Sequence, residues 1–392
     1  LKSKKLALKG GTILTMSKLG TIKEGTILIS NGKIEKILEK DAQIPKDYEV
    51  IDVTGKVITP GFIDAHAHLG LFEEGLRWEG NDGNEMTDPV TPHLRAIDGI
   101  KPDDPAFDMA RKFGITTLGI LPGSANPIGG MGAAIKTYGR TVEEMLVKFP
   151  IGMKIAFGEN PKNVYGVTQK RTPQTRMASA GLIREWLYKA KRYMEKKEKA
   201  KDDPDKMPEF DIKLEALELV LKREIPLRAH AHRASDILTA IRIAEEFNVD
   251  IVIEHGTEAY RIADIIAKKS IPVVHGPLLL PRHKPELRNL TIKSPVLLAK
   301  AGVEFALSTD ALGQVIFELP IMASLAVREG LDPETALKSI TITPAKILGI
   351  ADRVGSIEEG KDADLVVFNG DPLDIRNRAE MVLINGEIVY SE

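Results

Sequence analysis

The segment Gly61-Phe62-Ile63-Asp64-Ala65-His66-Ala67-His68 ends an apolar run in two histidines one residue apart. On a strand, residues i and i+2 point to the same side, so His66 and His68 can aim two imidazoles at one point. Neutral imidazole is a good ligand for zinc and similar divalent ions. The chain has only eight histidines, and most of the others sit in the same kind of place. His230 and His232 follow the apolar Ile225-Pro226-Leu227, His255 ends Ile251-Val252-Ile253-Glu254, and His275 ends Ile271-Pro272-Val273-Val274. Asp310 closes Val303 to Thr309 in the same way. Chance would scatter histidines over helices and loops. Gathering them at the C-terminal ends of β-branched runs is the pattern of a metal site assembled from several strands.

The elements that must position these residues alternate. Strand candidates fall near 61–66, 115–121, 133–137, 151–158, 225–230, 250–255, 271–275 and 303–309, with amphipathic helices such as Ile237 to Phe247, Ala259 to Lys268 and Pro333 to Lys338 among them. Strand–helix alternation implies a parallel sheet covered by helices. Eight units predict an α/β fold of the (β/α)8 TIM-barrel type, whose ligand-bearing ends are the C-terminal strand ends. Residues 1–58 read instead as short strands with an Asn31-Gly32 hairpin signal, and the C-terminus repeats this at Asn385-Gly386. The two termini are expected to form one small β-sandwich from 1–58 and 346–392, with the barrel, 59–345, inserted between them. Residues 159–176 read as a Gly/Pro/Asn-rich, then basic loop. Residues 181–201 read as a helix with a solvated charged face, and 202–211 as an exposed loop.

Composition narrows the chemistry. A formal net charge of −2 gives no electrostatic case for nucleic acid or an anionic membrane. With no cysteine, any metal must be held by nitrogen and oxygen donors. The opening Leu1-Lys2-Ser3-Lys4-Lys5 is basic but leads into a short strand-like run, and no apolar stretch is long enough to span a bilayer. The expectation is a soluble cytoplasmic protein acting on a small molecule, and apolar helix faces leave room for a homo-oligomer.

Val57-Ile58-Thr59-Pro60-Gly61-Phe62-Ile63-Asp64-Ala65-His66-Ala67-His68 resembles the first-strand signature of the amidohydrolase superfamily. Thr343 to Gly349 together with Gly355 to Val367 resembles its C-terminal signature. The resemblance spans nearly the whole chain and is nearest to imidazolonepropionase-related proteins and metal-dependent dipeptidases. It implies that His66, His68, His230, His255 and Asp310 are metal ligands, and that Asp310, with His255 beside it, belongs to the catalytic machinery as the proton shuttle. The fourth strand offers two candidates. Lys154 matches the lysine that is carboxylated and bridges two metals in isoaspartyl dipeptidases, whereas Glu159 stands where other branches place a glutamate. The expected cofactor is a divalent metal, zinc above all, with one or two ions per chain.

Such an ion lowers the pKa of bound water from 15.7 to roughly 7 and polarises a scissile carbonyl, while a carboxylate beside the water moves its proton to the leaving nitrogen. The predicted reaction is hydrolysis of a C–N bond in a cyclic amide, amidine or short peptide. A metal-dependent lyase or isomerase, or a non-catalytic relative kept for binding, are the alternatives. His232, His275 and Arg233 are the substrate-binding candidates. Lys170, Arg171 and Arg176 could also bind a substrate carboxylate, and Gly123 to Gly130 could approach a substrate closely. His93 and His283 fall in loops. The stretch His232-Arg233-Ala234-Ser235 lacks the acidic residue that imidazolonepropionases carry shortly after the fifth-strand histidine.

Overall fold

The computed structural model describes residues 5–392. The basic opening, Leu1 to Lys4, lies outside the described residues. The amino-terminal part supplies β1 (Leu6–Leu14), β2 (Thr21–Ser30), β3 (Lys33–Leu38), β4 (Glu49–Asp52) and β5 (Val57–Pro60). The middle supplies β6 (Phe62–Ala67), β7 (Ile115–Ile120), β8 (Ile128–Met131), β9 (Ala133–Lys136), β10 (Leu146–Lys148), β11 (Met153–Ala156), β12 (Leu227–Ala231), β13 (Ile251–His255), β14 (Val273–His275) and β15 (Phe305–Leu307). The chain ends in β16 (Leu365–Phe368), β17 (Ala379–Ile384) and β18 (Glu387–Ser391).

Both termini join in one eight-stranded sheet, ordered β18-β17-β16-β5-β1-β2-β3 with β4 on β1. This sheet is mixed, because β4 and β5 run parallel to β1. Its apolar side holds Leu6, Leu8, Ile27, Ile29, Leu365, Val367 and Leu383, all essentially inaccessible to solvent.

In the middle, β6 and β7 are parallel, and β11 to β15 form a second parallel run. The two runs are linked by one segment. β9 pairs antiparallel with β7, and β8, just before it, pairs antiparallel with β11. The strand expected near 133–137 is therefore present but reversed relative to its neighbours. Alternating hydrophobicity shows a strand's faces and not its direction. At the far edge, Ser308 Oγ and Asp310 N donate to His66 O (2.8 and 3.2 Å), and His68 N donates to Ala311 O (2.8 Å), which brings the end of β15 against the end of β6.

The helices follow the amphipathic pattern. Ala234–Phe247 buries Ile237, Ala240, Ile241 and Ala244, a single stripe at helical spacing, and closes on Asn248 in the left-handed conformation (φ 54°). Each such isoleucine contributes about 1.5–3 kcal/mol by burial. The helix Arg176–Ala200 starts five residues earlier than expected, because Thr175 caps it by accepting from Ala178 N. The loop expected over 159–176 contains a short helical turn, Glu159–Pro161, and a wide-turn helix, Lys162–Thr168. No helix among the described residues is long and apolar enough to cross a membrane.

Candidate metal centre

The register of the parallel strands fixes the lining of the site. Lys154, Arg228 and Val252 stand opposite one another on β11, β12 and β13. The next row up is Ala156, His230, Glu254, Val274 and Ala306. On β6 the pairing shifts between Asp64 and Ala67, an irregularity of the kind that re-aims side chains at a strand end. His66 and His68 follow it.

Each ring is oriented by the hydrogen bond at its other nitrogen. His66 Nδ1 lies 2.8 Å from Glu254 Oε2, and Arg228 Nε in turn donates to the other oxygen of Glu254. His68 Nδ1 donates to Leu121 O (2.7 Å) and His255 Nδ1 to Gly276 O (2.9 Å). Backbone carbonyls can only accept, so both rings donate from Nδ1 and turn Nε2 toward the site. Asp310 Oδ1 is 3.0 Å from His68 Nε2 and 3.5 Å from His66 Nε2. Lys154 Nζ is 2.9 Å from the same His66 nitrogen. His230 is buried, and neither of its ring nitrogens has a hydrogen-bond partner.

Burial dominates the electrostatics. It pushes the pKa of His66, His230, His232 and His255 well below the ordinary imidazole value, so these rings stay neutral, as ligands must. Burial also pulls the Lys154 amine down to about 8. For Asp310, burial pushes the carboxyl up, but the basic groups gathered around it, His255, His68 and Lys154, outweigh it and hold the group at about 2. Asp310 and His255 both adopt left-handed backbone (φ 55° and 68°), a conformation that L-residues keep only where their surroundings impose it.

Two groups of donors have ligand atoms within 4.8 Å of one another: His66, His255 and Asp310, and His230, His232 and His255. The donor chemistry suits a divalent ion. The rings are neutral, the carboxylate is ionised, and the buried nitrogens of His230 have no other partner.

The remaining candidates separate. Glu159 joins neither donor group, and its backbone N–H donates to Glu286 Oε2 (3.2 Å), whereas Lys154 Nζ stands against His66 Nε2. His232 reaches the site, with Nδ1 held 2.7 Å from Thr257 Oγ1. His275 is buried with both nitrogens engaged, Nδ1 by His255 O (2.8 Å) and Nε2 by Ser294 Oγ (2.6 Å), leaving none for a substrate. Arg233 precedes the helix Ala234–Phe247, with its charge near Asp236 and Glu258. Arg176 is paired with Asp236 (2.9 Å), and Arg171 stacks over Tyr165 (5.1 Å). In the Gly123–Gly130 loop, a side chain at 123 would collide with Asn84, whose Oδ1 accepts from Ala125 N. Gly130 pairs with Lys154 across β8 and β11, a side chain at Gly129 would stand 3.7 Å from Lys154 Cγ, and Gly129 borders a cleft of about 560 Å³ that also touches Pro122 and Asn84.

Three positions about the site were not read from the sequence. Glu254 and Arg228 share strands with candidate ligands, so alternation could have flagged them. Glu286 lies in a short turn beyond β14, where no periodicity operates.

The model of the amidohydrolase family matches residues 57–389. An amidohydrolase structure from Thermotoga maritima MSB8 superposes with a TM-score of 0.95 at 50% identity, covering 99% of this chain and 100% of that one. Amidohydrolase tasK of Hapsidospora irregularis is 29% identical over 94% of this chain, which spans 40% of the length of that relative. The imidazolonepropionase of Geobacillus kaustophilus is 24% identical, with 96% of this chain and 92% of the relative covered.

Proposed function

This chain belongs to the amidohydrolase family, hydrolases of carbon–nitrogen bonds, and on that premise we propose that it cleaves a cyclic amide, an amidine or a short peptide at a metal centre built from His66, His68, His230, His255 and Asp310, with Lys154 as the fourth-strand group. The observation that carries this reading is the convergence of neutral, buried imidazoles and one ionised carboxylate at adjacent strand ends. In this reading the strands form a (β/α)8-type barrel whose third strand is reversed, and the terminal sheet is a separate composite unit.

The chemistry an ion supplies here is a water activated near neutral pH and a polarised scissile carbonyl. The chain's own residues do the rest. Asp310, ionised and held by His68, takes the proton of the attacking water and returns it to the leaving nitrogen. Glu254 fixes the tautomer of His66, and Arg228 fixes Glu254. Lys154, with its depressed amine beside His66 Nε2, is placed to add carbon dioxide through its neutral form, releasing one N–H proton to solvent, and so become an anionic carbamate donor. Zinc suits this nitrogen-and-oxygen donor set.

Turnover of a panel of dipeptides, cyclic amides and amidines in oxygen-18 water tests the proposal. Hydrolysis must place the label in the product. Product without label would instead support the lyase or isomerase reading.

A further inference from the structure

Beside His230 and His232, a carboxylate completes a second donor set. Glu286 Oε1 is buried and has no oriented hydrogen bond. It lies 3.9 Å from His230 Nε2 and 3.7 Å from His232 Nε2. The His232 ring is held through Nδ1 by Thr257, and the His255 ring through Nδ1 by Gly276 O. Both therefore leave Nε2 toward the same space, where His230 is without partners. The ligand atoms of these three rings lie within 4.8 Å of one another. The carboxylate has a prepared berth. Its Oε2 accepts from Glu159 N, and a side chain at Gly158 (φ 86°) would stand 2.6 Å from that oxygen. The neighbouring cation, Lys284, ion-pairs with Oε1 at 2.9 Å, and its ammonium has a second partner in Asn160 Oδ1 at 3.4 Å.

From this geometry we infer that His232 and Glu286 are direct metal ligands, joining His230 and His255 of the metal centre around a second divalent ion. Three imidazoles and one carboxylate are a sufficient set for a tetrahedral zinc-like ion, whose ligand atoms lie about 3.3 Å apart, close to the 3.7–3.9 Å that separates Glu286 Oε1 from the two imidazole nitrogens. The inference rests on the metal-centre reading above, but it concerns binding, and its test is read without substrate.

The test is metal content of the purified full chain by elemental analysis, with absorption spectra of the cobalt-substituted protein, for the wild type, Glu286→Gln and His232→Gln. Circular dichroism and thermal melting verify that each variant folds. Two ions per chain are expected in the wild type. In both variants one ion should be lost or should bind at least about 10-fold more weakly, an effect no smaller than that of removing an outer-shell partner. The cobalt band intensity of the wild type, which needs no variant, should be that of a four-coordinate nitrogen-and-oxygen site. Retention of both ions with unchanged affinity in either folded variant overturns the inference, and makes Glu286 or His232 a substrate or structural group. A wild type that binds a single ion insensitive to both substitutions also overturns it. Absence of all metal would instead bring down the metal-centre reading itself.

Discussion

At the scale of single residues, the site is a set of buried groups each given one job by one hydrogen bond. Asp310 is the sharpest case. The basic groups around it, His255, His68 and Lys154, keep it ionised against burial, and its left-handed backbone is held by Asp310 N donating to His66 O. Asp310→Asn keeps the shape and removes the base. It should lower kcat by roughly 10²–10⁴-fold, the usual contribution of general acid–base catalysis, with an unchanged melting temperature. Full activity in that variant would falsify the proton-shuttle role. Lys154 supplies a second prediction. A buried amine pulled down to about 8 has a neutral fraction able to add carbon dioxide. Bicarbonate in the growth medium should raise metal occupancy of the wild type, Lys154→Met should abolish that dependence, and Glu159→Gln should leave it intact; elemental analysis reads all three. The histidine map was legible at this scale because ligands had been concentrated at strand ends. The choice between Lys154 and Glu159 was not, because it turns on where β11 stops. That strand ends at Ala156, and Gly158 (φ 86°) then turns the chain toward Glu286.

At the scale of elements, the parallel strands act as a register that carries one orientation to the next. The chain Arg228, Glu254, His66 crosses from β12 through β13 to β6, and Arg228 Nη2 also donates to Ala65 O (2.9 Å). Arg228 and Glu254 are both fully buried, and a buried pair missing one partner leaves an uncompensated charge. Arg228→Met should therefore cost about 3–5 kcal/mol of stability. It should also weaken metal binding by roughly 10–100-fold, because His66 loses its fixed tautomer. Denaturant titration and metal competition measure the two effects, and a stability loss with unchanged metal affinity would argue that the pair is purely structural. The strand count was readable from apolar runs, but two features of the sheets were not. The reversal of the third strand depends on β8 and β9 pairing with different neighbours on either side of Gly132, and no local periodicity encodes that. Glu286 enters the site from a turn whose path is set by tertiary packing alone.

At the scale of the whole molecule, the terminal sheet is tied to the middle of the chain by a buried charge cluster. Lys136 at the end of β9 pairs with Asp362 (3.1 Å) and Asp364, and Asp362 also receives Lys33 and Arg353 (2.9 Å for the latter). Lys33 comes from the first strands, Lys136 from the middle of the chain and both aspartates from the last segment, so one cluster binds three distant stretches of sequence. The hairpin signals at both termini foretold a joint β unit, but not this junction, whose members look like ordinary surface charges until the fold brings them together. Burial pushes the Asp362 carboxyl up, yet Lys136, Lys33 and Arg353 together hold it below its ordinary value of 3.8. A carboxyl depressed in the folded state stabilises the fold above its unfolded pKa, and that contribution fades as pH falls through the folded value. The wild type should therefore lose melting temperature below about pH 4. Lys136→Met should cost about 3–5 kcal/mol at neutral pH, since two buried carboxylates lose their inner cation. It should also shift the acid loss to higher pH, because Asp362 no longer has that cation to hold its proton off. Melting curves from pH 3 to 7 for the two proteins decide it. Parallel curves would mean that the junction is held by the apolar contacts of β5 and β16 rather than by its charges.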